Sequence, residues 1–135
     1  MQETALEKLI ILEKDVRDFG FEWPDIDMIL WQVASESDEI KEAIANKTGK
    51  DHLQEEIGDL LHTVISLCIF AGFDLEETLE KTVKKFGGRA NALKVVAKQK
   101  GHDSLKGQSI EYQLELWREA KTTQCHSSEG GNPVI

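Results

Sequence analysis

Apolar residues recur three and four positions apart along most of the chain, and no stretch alternates apolar with polar residues for long enough to suggest a half-buried strand. Leu6, Leu9, Ile10 and Val16 predict a first helix over about residues 4–19. It opens on Thr4-x-x-Glu7, where hydroxyl and carboxylate can each satisfy a free backbone donor near the other in a capping box. Gly20-Phe21-Glu22-Trp23-Pro24 stops this helix, and Pro24 with Asp25 starts a second, to about residue 46. After the polar turn Asn46-Lys47-Thr48-Gly49-Lys50, Asp51-x-x-Gln54 resembles another capping box. It heads the most apolar segment, Leu53, Ile57, Leu60, Leu61, Val64, Leu67 and Cys68, which closes at Ala71-Gly72. Asp74-Leu75-Glu76-Glu77 opens a fourth helix that Gly87-Gly88 is expected to interrupt just before Arg89, with residues 90–100 weakly amphipathic beyond it. Residues 101–107 read as a loop, and residues 109–121 as a short helix with Tyr112, Leu116 and Trp117 as a docking stripe. The expected architecture is an all-α helical bundle of four to five helices, one domain over residues 1–121 followed by a disordered tail over 122–135.

Composition narrows the class. At 135 residues, 40% apolar and 30% charged, the chain suits one soluble domain, and it lacks the ~18-residue apolar run of a membrane span. Its first residues are acidic where a secretory leader would be basic, so a cytoplasmic location is expected. Cys68 and Cys125 make no metal-type spacing and are expected to be free thiols. A net charge of −9 and a pI near 4.9 disfavour a nucleic-acid partner. Small anions remain accessible, because carboxylates can recruit divalent cations that in turn bind phosphates.

Two acidic pairs carry the candidate chemistry. Glu36 and Glu39 on the second helix, and Glu56 and Asp59 on the third, each stand at i and i+3, on one helix face. At about 100° per residue, Ile29 and Ala43 fall about 20° to either side of Glu36 and Ile40 about 40° from it, so Glu36 sits inside an apolar arc. Leu60 and Leu67 lie about 40° and 20° to one side of Glu56, with Asp59 about 60° to the other, toward solvent. Burying a carboxylate costs several kcal/mol unless it is protonated, paired or metal-bound. Antiparallel packing through the turn at 46–50 brings the pairs together as three or four oxygen ligands, which suit Mg²⁺ or Mn²⁺ better than Zn²⁺. Such a cluster fits a triphosphate substrate. The competing reading is a solvated helix face, since 25 of the 135 residues are Asp or Glu. Asp59-x-x-His62 gives only half of a di-iron bundle motif, His62 reads as structural or exposed, and His52, His102 and His126 share no spacing. No Ser–His–Asp set, Walker loop or G-x-G-x-x-G fingerprint is present.

These residues resemble the MazG-like family of all-α nucleoside triphosphate pyrophosphohydrolases, whose signature is E-E-x-x-E followed by E-x-x-D. Glu36 and Glu39 match the first element, and Glu56 and Asp59 in Glu55-Glu56-Ile57-Gly58-Asp59-Leu60-Leu61 match the second. The resemblance extends through Trp23-Pro24, Lys85-Phe86-x-x-Arg89 and Leu116-Trp117-x-x-Ala120-Lys121, over about residues 20–121. One departure is Ser35, where the family has the first Glu of its double acid. The resemblance implies Mg²⁺, with Mn²⁺ as substitute, on Glu36, Glu39, Glu56 and Asp59, and release of pyrophosphate from a nucleoside triphosphate. It implies phosphate neutralisation by Lys85 and Arg89, and a base pocket near Trp23. It also implies a homodimer or homotetramer, whose interfaces Trp31, Phe70, Phe73 and Trp117 would fit unless they are core. Narrower substrates, phosphoribosyl-ATP or dCTP and dUTP, are alternatives within the family. A non-catalytic oligomerisation or regulatory module is the alternative outside enzymes, with Ser35 in its favour.

Overall fold

The computed structural model describes residues 2–127 as five helices without a strand: α1 (Ala5–Asp18), α2 (Ile26–Ala45), α3 (Lys50–Phe70), α4 (Leu75–Gln99) and α5 (Ile110–Ser127). The side chain of Cys125 and the tail expected to be disordered beyond Ser127 lie outside the described residues. The described residues form two compact units that divide after Thr78, with α4 beginning in the first and continuing in the second.

Local chemistry sets the helix ends. Thr4 and Glu7 form the expected reciprocal box: Glu7 N–H donates to Thr4 Oγ1 at 3.1 Å, and Thr4 N–H to Glu7 Oε1 at 3.0 Å. Asp25 caps α2 by accepting from Met28 N–H at 2.9 Å, and Asp74 accepts likewise from Glu77 N–H at 2.9 Å. The box expected at Asp51 does not form. α2 closes with Lys47 in the left-handed region (φ 50°), its N–H donating to Ile44 C=O and Thr48 N–H to Ala43 C=O. Gly49 (φ 104°) then turns the chain so sharply that α3 starts at Lys50 with no side-chain cap. Asp51 is already helical and lacks the extended backbone a capping residue needs.

Two further boundaries differ from expectation. α4 runs unbroken through Gly87-Gly88. Glycine keeps its N–H and C=O, so the pair weakens a helix by roughly 1 kcal/mol each without ending it, and the good helix formers Arg89, Ala90, Ala92 and Leu93 follow. α5 continues past Lys121 to Ser127, starting where Ser109 Oγ accepts from Tyr112 N–H at 3.2 Å.

In the first unit, α2 and α3 form a hairpin and α1 packs on α3. Ile29 is wholly buried and Ala43 nearly so, and the polar residues Glu13, Glu36, Thr63 and Ser66 are buried with them. Glu13 of α1 is fastened to α3 by Ser66 Oγ–H and by the half-exposed His62 Nε2, both at 2.9 Å from its Oε1. Thr63 Oγ1–H donates to Asp59 C=O at 2.9 Å. The most apolar segment of the sequence thus presents its hydroxyls inward and leaves Ile57, Leu61 and Val64 exposed. In the second unit Leu116 and Ala120 are buried, the Phe86 and Trp117 rings lie 5.9 Å apart, and His102 Nε2 meets Tyr112 Oη at 2.9 Å. Among the described residues no single helix is long and apolar enough to cross a membrane.

Candidate functional site

The hairpin builds the site. Ile29, Glu36 and Ala43 are the buried residues of α2 and recur every seven positions, two helical turns, so Glu36 occupies a core position between apolar ones. Its Oε1 accepts from Gln32 Nε2–H at 2.7 Å, and its Oε2 is buried with no hydrogen-bond partner. Across the hairpin, the Glu56 side chain is 15% exposed. His52 Nε2 stands 3.4 Å from its Oε1, and its Oε2 is likewise buried and unpartnered. Asp59, one turn further on and exposed, completes a group in which one carboxylate oxygen each from Glu36, Glu56 and Asp59 lie within 4.8 Å of one another.

Glu39 joins them electrostatically. Its proton affinity rises from the ordinary glutamate value of 4.5 to about 6, chiefly because the protonated acid, unlike the ionised one, can donate a hydrogen bond to Glu36, and then through the Glu36 charge, with burial and the charges of Glu56 and Asp59 adding to it. The sign follows for the protein without metal. Because its folded value is the higher one, Glu39 contributes stability below about 4.5 that is lost as the pH rises through about 6. Between those values, melting temperatures in EDTA should fall with rising pH more steeply for the wild type than for Glu39→Gln. Parallel curves for the two proteins would separate Glu39 from the cluster.

Two buried, unpartnered carboxylate oxygens in an all-oxygen group are the arrangement that a hard divalent cation satisfies, and Glu36, Glu56 and Asp59 could hold one, with Glu39 outside the group that lies within 4.8 Å. Trp23, by contrast, is half-buried in the connection ahead of α2. Lys85, exposed, and Arg89, half-buried, lie one turn apart on one face of α4 in the second unit. Ser35 is half-buried and turned about 100° from Glu36 around α2. Of the aromatics considered for interfaces, Trp31 and Phe73 are both 64% exposed, while Phe70 and Trp117 are half-buried. Gln32 does not stand out in the sequence, and His52 is set aside there among histidines that share no spacing; the available signal was their common offset, four residues before Glu36 and Glu56.

Residues 26–93, just over half of the 135, match the family described as the MazG nucleotide pyrophosphohydrolase domain. The chain belongs to the MazG family. The matched span contains the whole α2–α3 hairpin and all four acids. Among its MazG relatives, the nucleoside triphosphate pyrophosphohydrolase/pyrophosphatase MazG of Thermotoga maritima is 31% identical over 112 residues, covering 82% of this chain and 41% of the relative. The nucleoside triphosphate pyrophosphohydrolase of Escherichia coli K12 is 28% identical over 118 residues, covering 87% and 44%. The chain thus spans under half the length of these curated relatives.

Proposed function

We propose that the chain is a Mg²⁺-dependent pyrophosphohydrolase that converts nucleoside or deoxynucleoside triphosphates to monophosphates and pyrophosphate, with removal of non-canonical nucleotides as a fitting role. The observation that carries this reading is the pair of buried, unpartnered oxygens on Glu36 and Glu56, set beside Asp59 and Glu39 within the span that matches the family. Both relatives named above are nucleoside triphosphate pyrophosphohydrolases, which gives the acids a reaction to serve.

Glu36, Glu39, Glu56 and Asp59 would hold the metal, with Mn²⁺ as a substitute. A bound Mg²⁺ would supply neutralisation of phosphate charge and a water of lowered pKa for attack at the α-phosphorus. The chain's own part is to present charge. Glu36 is buried and held by Gln32, Glu56 is 15% exposed beside His52, and Glu39 retains a proton to about pH 6 until a cation offsets its neighbours. Lys85 and Arg89 are proposed as phosphate-binding cations, Arg89 with its two-pronged donor set, and Trp23 as a contact for the base. We assign residues 1–121 to one MazG domain acting on a cytoplasmic nucleotide pool. The exposed apolar side chains of α2 and α3, Leu30, Trp31, Ile57 and Leu61 among them, support assembly as a homodimer or homotetramer.

The test is pyrophosphate release from canonical and modified nucleoside triphosphates, phosphoribosyl-ATP included, with Mg²⁺, Mn²⁺ or EDTA. Metal-dependent formation of pyrophosphate with monophosphate is expected, and the order of rates names the substrate class, dCTP and dUTP among the candidates. Turnover of phosphoribosyl-ATP alone would reassign the substrate. No turnover of any compound would overturn the enzymatic reading in favour of a non-catalytic helical module.

A further inference from the structure

A buried glutamate with two equivalent oxygens has no intrinsic reason to present one of them in a fixed direction. On α2 that equivalence is broken. Gln32 lies one turn before Glu36, and its Nε2–H donates to Oε1 at 2.7 Å, the short distance of a hydrogen bond assisted by the carboxylate charge. An ionised carboxylate only accepts, so the amide must turn its NH₂ toward it. Glu36 is only 8% exposed, so water has little access to compete with this bond, and Oε2 is left buried and bare. On α3 the plan recurs at the same offset. His52 stands one turn before Glu56, its Nε2 is 3.4 Å from Oε1, and Oε2 is again the buried, unpartnered oxygen.

We propose that Gln32 is a positioning residue of the acid cluster: its amide holds Oε1 of Glu36 so that Oε2 is presented to a divalent cation. This rests on the reading of the cluster as a metal site, but it assigns a role to a residue that touches neither cation nor substrate. Its contribution is to set the direction of a ligand before the cation arrives, which strengthens binding without adding charge to the site.

The experiment titrates Mn²⁺ alone, without nucleotide, into the wild type and into Gln32→Met, Gln32→Ala and Gln32→His, reading free Mn²⁺ by electron paramagnetic resonance and helicity by circular dichroism. Methionine keeps the volume and removes the donor. Alanine, the best helix former, removes the donor with a different shape, so that a packing fault of one does not decide the result. Histidine can restore an N–H to position 32, at the offset from the acid that His52 holds on α3. The expected result is Mn²⁺ binding weakened by ~10- to 100-fold in the methionine and alanine variants, with helicity unchanged and most of the affinity regained with histidine. Wild-type affinity in either donor-less variant would overturn the role of Gln32 while leaving the cluster standing. Equal loss in all three would assign the effect to packing at position 32 and overturn it as well. A wild type that binds no Mn²⁺ would overturn both the role and the cluster.

Discussion

Glu56→Gln should lose nucleotide hydrolysis by more than the ~10- to 100-fold typical of residues that act on a metal at second hand, while keeping its helices. The substitution preserves volume and removes one charge from the group formed with Glu36 and Asp59. It also replaces an oxygen that is buried without a partner, so in the absence of metal the fold loses a source of repulsion rather than a support. Catalysis and stability are therefore expected to move in opposite directions: turnover falls, and the melting temperature in EDTA stays level or rises. Pyrophosphate release at the wild-type rate would take Glu56 out of the reaction. A fall in melting temperature with metal absent would show that its charge is needed structurally.

Ile29→Ala should destabilise the protein by about 2–5 kcal/mol, a large share of the ~5–15 kcal/mol that holds a domain of this kind together. Ile29 is wholly buried, and with Leu116 it is one of two large side chains fully enclosed among the described residues. It lies two turns before Glu36 on the same face of α2, so the cavity opens in the packing that seats the acid. Denaturant titration measures the loss, and Ile40→Ala, at a half-buried site on that helix, should lose less. Equal losses at the two positions would show that the buried row does not fix α2 on α3.

Much of this was legible in the sequence, because the interactions responsible are local. The boxes and caps at Thr4, Asp25 and Asp74 need only the residue three positions on, and the apolar arc around Glu36 follows from helical periodicity. The start of α3 was not legible, because Gly49 (φ 104°) turns the chain directly into Lys50 and puts the boundary ahead of Asp51. Gly87-Gly88 misled for a related reason: propensity gives the penalty of a glycine pair but not whether a 25-residue helix tolerates it. Within the candidate site, Glu36, Glu56 and Asp59, which the hairpin gathers, stand out in the sequence by type and spacing. Gln32 and His52 do not, since a neutral amide and an imidazole one turn from an acid are common on any exposed helix. The pairing of Glu13 with Ser66 joins residues 53 positions apart, beyond the reach of any local pattern.

All four acids lie within the 24 residues from Glu36 to Asp59, in two neighbouring helices joined by a short turn. Closing so short a loop carries little entropy cost, so contacts of this kind form early when a chain folds. The repulsion among the acids is therefore met at the start of folding, before more distant contacts such as that between Glu13 and Ser66 can oppose it. A divalent cation that bridges the young hairpin would act on the folding rate as well as on the finished site.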